Sequence, residues 1–393
     1  MEPASERGTE GSAKSGLTLV TGFWPQKHEH VRTAQVYTRL FEELVVHIDD
    51  ALPIVCCPDP RIEDQVRALK DRHPDVRLEI RPLPFEELHF ARDRARFAGL
   101  QPANSSFTLR DTIEYATIVW SKAATVAQAA RENPFDTSRF GWIDYGIAHV
   151  AELLDVDWSE IEATAVNTDR MRVAERMATA LQETADPWYW YSNNSARVCG
   201  GLFTGTRERF GELAAIFEHE VARMVPTGTY ALEEQVLAAA TALHPEMFER
   251  WYCDYHGVLT NAAIVRRDAG TVVENLHHCR ETQLYGNGAD VARFLLRSGE
   301  AHLHLMPDQC IHLLDDGLTC GLRAPDVDLA DDLAKTALSL YHYSRVGRGM
   351  MKGLWRKSLQ TSLKELGLDF PNKPWSWEEF TARPDFRVWL SCF

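Results

Sequence analysis

The chain has no hydrophobic run approaching the roughly 18 to 20 residues of a membrane span. A transmembrane segment is therefore not expected. Met1 to Ser15 is polar and Gly/Ser-rich and lacks the apolar centre of a signal peptide. It predicts a disordered leader over residues 1–16 and a cytoplasmic location. Without a secretory signal, the sequons Asn104-Ser-Ser106 and Asn193-Asn-Ser195 are short chance matches. Lys/Arg-rich runs are also lacking, and the formal net charge is −15. That speaks against a nucleic-acid binder. Phosphates bound by so acidic a chain would need a metal ion or a few local cations. The eight cysteines form no Cys-x-x-Cys pair and are scattered over 393 residues. Such scatter fits free thiols in a reducing compartment better than a disulfide framework. No repeat, low-complexity block, Walker loop, Gly-x-Gly-x-x-Gly element or Gly-x-Ser-x-Gly elbow is present.

What is present is ordinary globular composition, 45% hydrophobic and 25% charged. A chain of this length can bury a large core without crosslinks. Leu17 to Thr21, Leu52 to Cys56 and Val76 to Ile80 read as strands. Between them lie helical periodicities over about 30–48 and around Ile62, Val66 and Leu69. This β-α-β-α-β opening predicts a parallel sheet with helices on both faces. Residues 82–108 read as a long loop with short helices, and a helix resumes from Asp111 to about Arg131. Helical stretches are expected around 150–154 and 170–184. Strands are expected at Trp188–Tyr191, Ala196–Cys199 and Met247–Asp254, and helices from Phe210 and near Ala231. After about 265 the pattern predicts helices, a hairpin over Gln309–Leu322 around Asp315-Asp-Gly317, and two helices near 327–345 and 350–366.

The most telling stretch is Arg139-Phe-Gly-Trp-Ile-Asp-Tyr-Gly-Ile147. A buried strand runs into one acid, Asp144, and then into Gly146. In open α/β sheets ligands bind at that carboxyl edge. A carboxylate there, with glycine admitting close backbone approach, suits a metal ion carrying phosphate oxygens. Lys122 shares a helical face with Glu114 and Ile118, within reach of a diphosphate if the helix ends near Asp144. Gly200 and Gly201, with Gly205, let backbone approach a ligand. Of Glu233 and Glu234 at a helix start, one is explained by the helix dipole, and the other is a candidate general base. Asp254 and His256 lie two apart near Asn261, and His256 is the candidate second metal ligand beside Asp144. A zinc site from His302, His304, Cys310 and His312 is set aside for want of ligand spacing, and His277-His278-Cys279 is weaker still, because adjacent residues point apart.

Taken together these stretches resemble the HtrL/YibB family of bacterial proteins. The resemblance runs through Leu19-Val-Thr-Gly-Phe23, Glu114-Tyr115 with Ser121-Lys122, and Asn133-Pro-Phe135. It continues with Trp142-Ile-Asp-Tyr-Gly-Ile147 and His149, Gly200-Gly-Leu-Phe-Thr-Gly205, Glu233-Glu-Gln235, Asp254-Tyr255 and Asn261. The motifs are short but collinear over residues 17–265. The resemblance implies a GT-A-like, mostly parallel sheet flanked by helices over 17–265, followed by a mainly helical region over 266–393. It implies a glycosyltransferase that moves a sugar from a nucleotide-diphosphate donor to a glycan or small-molecule acceptor. Asp144 would stand where GT-A enzymes keep an Asp-x-Asp motif holding Mn²⁺ or Mg²⁺, with Gly146 replacing the second acid. Glu234 would be the base. Substrate would meet Lys122, Tyr145, Gly146, Gly200, Gly201, Glu233, Gln235, Asp254 and Asn261. Departures from the family pattern are Cys253 for glycine, Ala262 for tyrosine and Glu233 for aspartate. Two other readings stay open: a non-catalytic nucleotide-sugar-binding protein, and a metal-dependent phosphoester hydrolase. The basic-apolar stretch from Arg345 to Lys357 leaves peripheral membrane contact open, although a helix packed on the domain explains it more simply. The oligomeric state, donor and acceptor are not legible.

Overall fold

The computed structural model describes residues 14–26, 33–48, 51–103, 111–192, 197–297, 305 and 307–343, with 376, 378–379 and 382 near the C-terminus. In chain order the first half runs β1 (Lys14–Thr21), α1 (Ala34–Ile48), β2 (Ile54–Cys56), α2 (Glu63–Arg72), β3 (Leu78–Ile80), β4 (Gln101–Pro102), α3 (Ile113–Trp120), α4 (Lys122–Glu132) and β5 (Thr137–Ile143). Next come α5 (Trp158–Val166), β6 (Met171–Glu175), α6 (Pro187–Ser192), β7 (Val198–Gly205), α7 (Arg207–Met224), β8 (Thr229–Tyr230), α8 (Glu233–Leu243) and β9 (Phe248–Tyr252). Among the described residues α9 (Ala269–Glu281), α10 (Tyr285–Arg297), α11 (Pro307–Arg323) and α12 (Val327–Tyr343) follow.

Seven strands form the main sheet in the order β3-β2-β1-β5-β7-β6-β9. β7 runs antiparallel to both its neighbours, and the other pairs are parallel. β4 and β8 make a separate two-stranded sheet. This is the expected mostly parallel sheet flanked by helices, with a helical C-terminal region. Period-two alternation sorts the side chains. Leu17, Leu19 and Ile143 enter one core with α1, α2 and α5, while Val20, Phe140 and Trp142 enter the other with α3, α4, α7 and α8. The first core continues without a break into the C-terminal helices through Trp251, Leu259, Leu276, Leu295 and Leu314.

Four expectations are corrected. Residues 170–184 hold β6 and only a short 3-10 turn at Leu181–Thr184 in place of the expected helix. β6 is buried at every position, so it has no polar alternation to mark it. Trp188–Tyr191 is helical. Pro187 opens α6, and the Asp186 carboxylate accepts from the backbone N–H of Trp188 at 3.0 Å. The hairpin at Gln309–Leu322 is the helix α11. The Asp315-Asp316 pair serves Arg280, and Gly317 leaves room for Leu333 of α12, whose methyl carbon lies 3.0 Å from where a Cβ would stand. Around 150–154 the helix is displaced to α5, capped by Asp157, which accepts from the N–H of Glu160 at 3.0 Å.

Among the described residues six cysteines are free and buried, as expected: Cys56, Cys57, Cys199, Cys253, Cys279 and Cys320. Cys310 departs from the expectation and is disulfide-bonded. The N-terminal leader up to residue 13, His302, His304, both sequons and residues 345–366 lie outside the described residues.

Candidate functional site

Strand order reverses direction at β1, whose neighbours are β2 and β5. The crevice outside the carboxyl ends of such a pair is where open α/β sheets bind ligands. A cleft of about 110 Å³ lies there. Gly22, Phe23 and Trp24 leave β1 on one side of it, and Trp142 with Asp144 to Gly146 leave β5 on the other. Tyr37 of α1, Tyr115 and Lys122 of the α3–α4 pair, and His149 complete the wall.

Asp144 is fixed by its own strand. Trp142 is two residues earlier and so on the same face, and its indole N–H donates to Asp144 Oδ1 at 2.7 Å. Lys122 Nζ lies 2.8 Å from the same oxygen. Asp144 Oδ2 takes no hydrogen bond among the described residues, and the side chain is 39% exposed. One carboxylate oxygen is thus held ready and open toward the cleft.

Lys122 is placed by a break between α3 and α4. The Ser121 hydroxyl donates back to the Thr117 carbonyl at 2.8 Å and accepts from the Phe90 N–H at 3.3 Å. Such back-bonding bends helices, and Lys122 turns inward at the start of α4. Its ammonium donates to Glu233 Oε1 at 2.6 Å and to the Gly200 carbonyl at 3.1 Å, besides Asp144. Three donors meet three acceptors. Burial opposes the charge on Lys122, but Asp144 and then Glu233 outweigh it and hold the ammonium above the usual lysine range.

Glu233 arrives from the first turn of α8 and is buried. A Cβ on Gly200 would stand 2.5 Å from Glu233 Oε1, so only glycine fits there. The register between β6 and β7 jumps at this point, from Val173 opposite Phe203 to Ala174 opposite Cys199. Gly200 and Gly201 therefore sit in a bulge of β7, not in a turn between two strands. Backbone pairing carries on past it, since the Asp144 N–H donates to the Gly201 carbonyl at 2.9 Å. Glu234 lies beside Glu233. Burial first, and then the Glu233 charge, push its carboxyl up to about 8. The Tyr255 hydroxyl donates to Glu234 Oε1.

Lys122, Asp144, Gly200, Gly201, Glu233 and Glu234 thus form one constellation, although Glu233 and Glu234 lie behind Lys122 and do not line the cleft. Tyr145 and Gly146 line the cleft. The Tyr145 ring stacks on Phe41, with centroids 4.3 Å apart. Gly146 is required by Tyr37, whose ring carbon would lie 2.5 Å from a Cβ at that position. Gln235 lines a separate small cleft with Tyr191 and Tyr230.

Asp254, His256 and Asn261 belong to the loop after β9. Asp254 caps it by accepting from the Gly257 N–H at 2.7 Å. Asn261 is fully buried, accepts from the N–H groups of Arg266 and Arg267, and donates to the Arg267 carbonyl at 2.8 Å. Its hydrogen bonds organise the loop. His256 is exposed, and its Nδ1 donates to the Val150 carbonyl at 2.7 Å. It forms no contact with Asp144 within ion-pair distance among the described residues.

Sequence reasoning assigned no role to three residues of the site. Tyr37 carries no local signal, and Tyr255 entered only as part of the Asp254-Tyr255 motif. Trp142 could have been found from its position two before Asp144.

The family described as "Bacterial protein of unknown function (HtrL_YibB)" matches residues 104–260. The stretch spans Lys122, the end of β5, the β7 bulge and the start of α8. Over that segment the chain is similar to the HtrL/YibB family. No curated protein matches the chain. Among solved structures it is similar to the apo form of mouse xyloside xylosyltransferase 1, at 10% identity and a TM-score of 0.36, covering 59% of this chain and 84% of that one. It is also similar to 4-diphosphocytidyl-2C-methyl-D-erythritol synthase from Anaerococcus prevotii, at 7% identity and a TM-score of 0.33, covering 66% and 95%. A third is S. aureus TarS 1–349, at 9% identity and a TM-score of 0.30, covering 84% and 87%. Scores this low decide neither substrate nor activity. No described helix is long and apolar enough to cross a membrane.

Proposed function

We propose that this chain is a glycosyltransferase that uses a nucleotide-diphosphate sugar. The observation that carries the reading is the cleft at the β1/β5 switch point, floored by a carboxylate with one oxygen pinned and one oxygen open. The aromatic residues Tyr37 and Tyr115 that line it suit a planar base or a sugar face.

The residues fit a divalent ion in one respect. Mg²⁺-type sites commonly use one or two carboxylates and take the remaining oxygens from phosphates and water. Asp144 Oδ2 is such an oxygen. Mn²⁺ or Mg²⁺ bound there would neutralise charge on the departing diphosphate. His256, turned to Val150, lends this ion no support in the arrangement described.

The protein's own groups then divide the work. Lys122 holds Asp144 and Glu233 in register, and its charge lies within reach of a phosphate that displaced one of them. The β7 bulge brings the Gly200 and Gly201 backbone close to the donor. Glu234 accepts the proton of an acceptor hydroxyl that takes the place of the Tyr255 hydroxyl on it, as the new carbon–oxygen bond forms and the bond from the anomeric carbon to the diphosphate breaks, which makes the enzyme inverting. A carboxyl held near 8 is matched to that task around neutral pH. Gly201, Tyr145 and Gly146 shape the donor pocket. Asp254, Asn261 and Gln235 act through the walls around it. The acceptor is a surface glycan or other hydroxyl-bearing metabolite.

The test is release of nucleoside diphosphate from a panel of UDP-, GDP- and dTDP-sugars, with CMP-sugars alongside for nucleoside monophosphate, followed by mass spectrometry with mixed acceptors. One series turned over by the wild type and lost in Asp144→Asn supports the reading. Release of phosphate from simple phosphoesters without any sugar donor would point to a hydrolase instead. Binding of a nucleotide sugar with no turnover under any condition would favour a non-catalytic binder.

A further inference from the structure

The helices α9 and α11 bring together three ligand-type side chains that the Asp144 site does not use. His277 comes from α9, while His312 and Asp316 are four apart on one face of α11. His277 Nδ1 lies 3.0 Å and His312 Nδ1 3.2 Å from the same oxygen, Asp316 Oδ2. The two imidazole rings meet edge-on with centroids 4.9 Å apart. Among the described residues this is the only group of three or more His, Cys, Asp or Glu side chains whose ligand atoms lie this close, all within 4.8 Å of one another.

We propose that His277, His312 and Asp316 bind Zn²⁺, and that the ion fastens α9 to α11 in the C-terminal helical region. Zinc–ligand bonds of about 2.0–2.2 Å put neighbouring tetrahedral ligands roughly 3.3 Å apart. The two oxygen–nitrogen separations already have nearly that length. The third edge, between the imidazoles, closes by small rotations of side chains that are 45% and 46% exposed. The same exposure gives an entry path and a water at the fourth position.

The carboxylate is positioned from behind. Asp316 is fully buried, and its Oδ1 accepts from Arg280 at 2.5 Å. Outer partners of this kind fix ligand orientation in metal sites. Arg280 is itself shared with Asp315 at 3.0 Å, so two acids face one cation. On binding, each imidazole presents Nδ1 to the ion. A neutral ring moves its proton to Nε2, and a charged ring releases one. Neither step needs a redox partner.

The experiment uses the full chain, stripped with chelator and dialysed against buffered Zn²⁺, with bound metal counted by mass spectrometry. Co²⁺ substitution gives a second reading from its visible bands. The expected result is one equivalent per chain and the absorption of a four-coordinate site. His277→Gln and His312→Gln each weaken binding by at least about 100-fold, since even outer partners of ligands are worth tenfold to 100-fold. His219→Gln, at an exposed histidine elsewhere, leaves it unchanged. Melting temperatures in chelator, compared with wild type, show whether the variants remain folded. A wild type that retains no Zn²⁺ would overturn the proposal. So would stoichiometric binding that survives both glutamine variants, because the ion would then sit on other histidines.

Discussion

Replacing Lys122 with methionine keeps the bulk of the side chain and removes its charge. The structure says what is left behind. Among the described residues Glu233, 7% exposed, loses its only ion-pair partner, and Asp144, 39% exposed, loses one of two donors on Oδ1. Breaking a buried pair from one side costs about 3–5 kcal/mol, because the remaining charge stays desolvated. Asp144 can take up water, so the lower end, about 3 kcal/mol, is the expected loss. Urea unfolding followed by circular dichroism at neutral pH measures it. The double variant Lys122→Met/Glu233→Gln should recover part of the loss, with a coupling of about 0.5–3 kcal/mol for residues in contact. A single-variant cost below about 1 kcal/mol, together with a double variant no better than the sum of its parts, would refute the buried network as the structural centre of the site.

Glu234→Gln tests the base and its environment together. A carboxyl raised from 4.5 to about 8 favours the native state only while protonated. Its stabilising contribution is therefore full below about pH 4.5 and is lost as pH rises through about 8. The glutamine variant should melt higher than wild type at pH 9 and nearly level with it at pH 5. In turnover assays the wild-type rate should rise through an inflection near pH 8, and the variant should lack that rise; a variant with an unchanged profile would remove Glu234 from the reaction. Gly146→Ala should cost about 1–3 kcal/mol by pushing a methyl group into the Tyr37 ring. Pairing it with Tyr37→Leu should restore stability, and a thermal melt in which Gly146→Ala is neutral would contradict the packing argument.

The parts of the site that sequence exposes are those where local pattern and chemistry coincide. Asp144 ends a strand whose alternation is readable, and Gly200-Gly201 and Glu233-Glu234 stand out as residue types. Lys122 was legible through the helical face it shares with Glu114 and Ile118, but its full engagement by two acids depends on β5 and α8 meeting across the β7 bulge. Tyr37 and Tyr255 reach the site only through tertiary packing. Asn261 carried the pattern of a binding residue and instead ties its own loop together. The four fold corrections share a cause. β6 is buried on both faces, α6 is built from aromatic residues that favour strands, the turn before α5 shifted a helix, and α11 hides a turn-like Asp-Asp-Gly inside helix packing. In each case tertiary contact decided against local preference. The His277, His312 and Asp316 group was illegible for the same reason, since His277 lies 39 positions before Asp316 along the chain.

The most direct test of the central claim is equilibrium binding of nucleoside diphosphates and their sugars, read as a rise in melting temperature with Mn²⁺, Mg²⁺ or EDTA. A ligand at 100 times its dissociation constant stabilises the native state by about 2.7 kcal/mol. The account predicts a rise with one nucleotide series, reduced by EDTA and abolished in Asp144→Asn. A rise of equal size in Asp144→Asn, or none with any series, would contradict it.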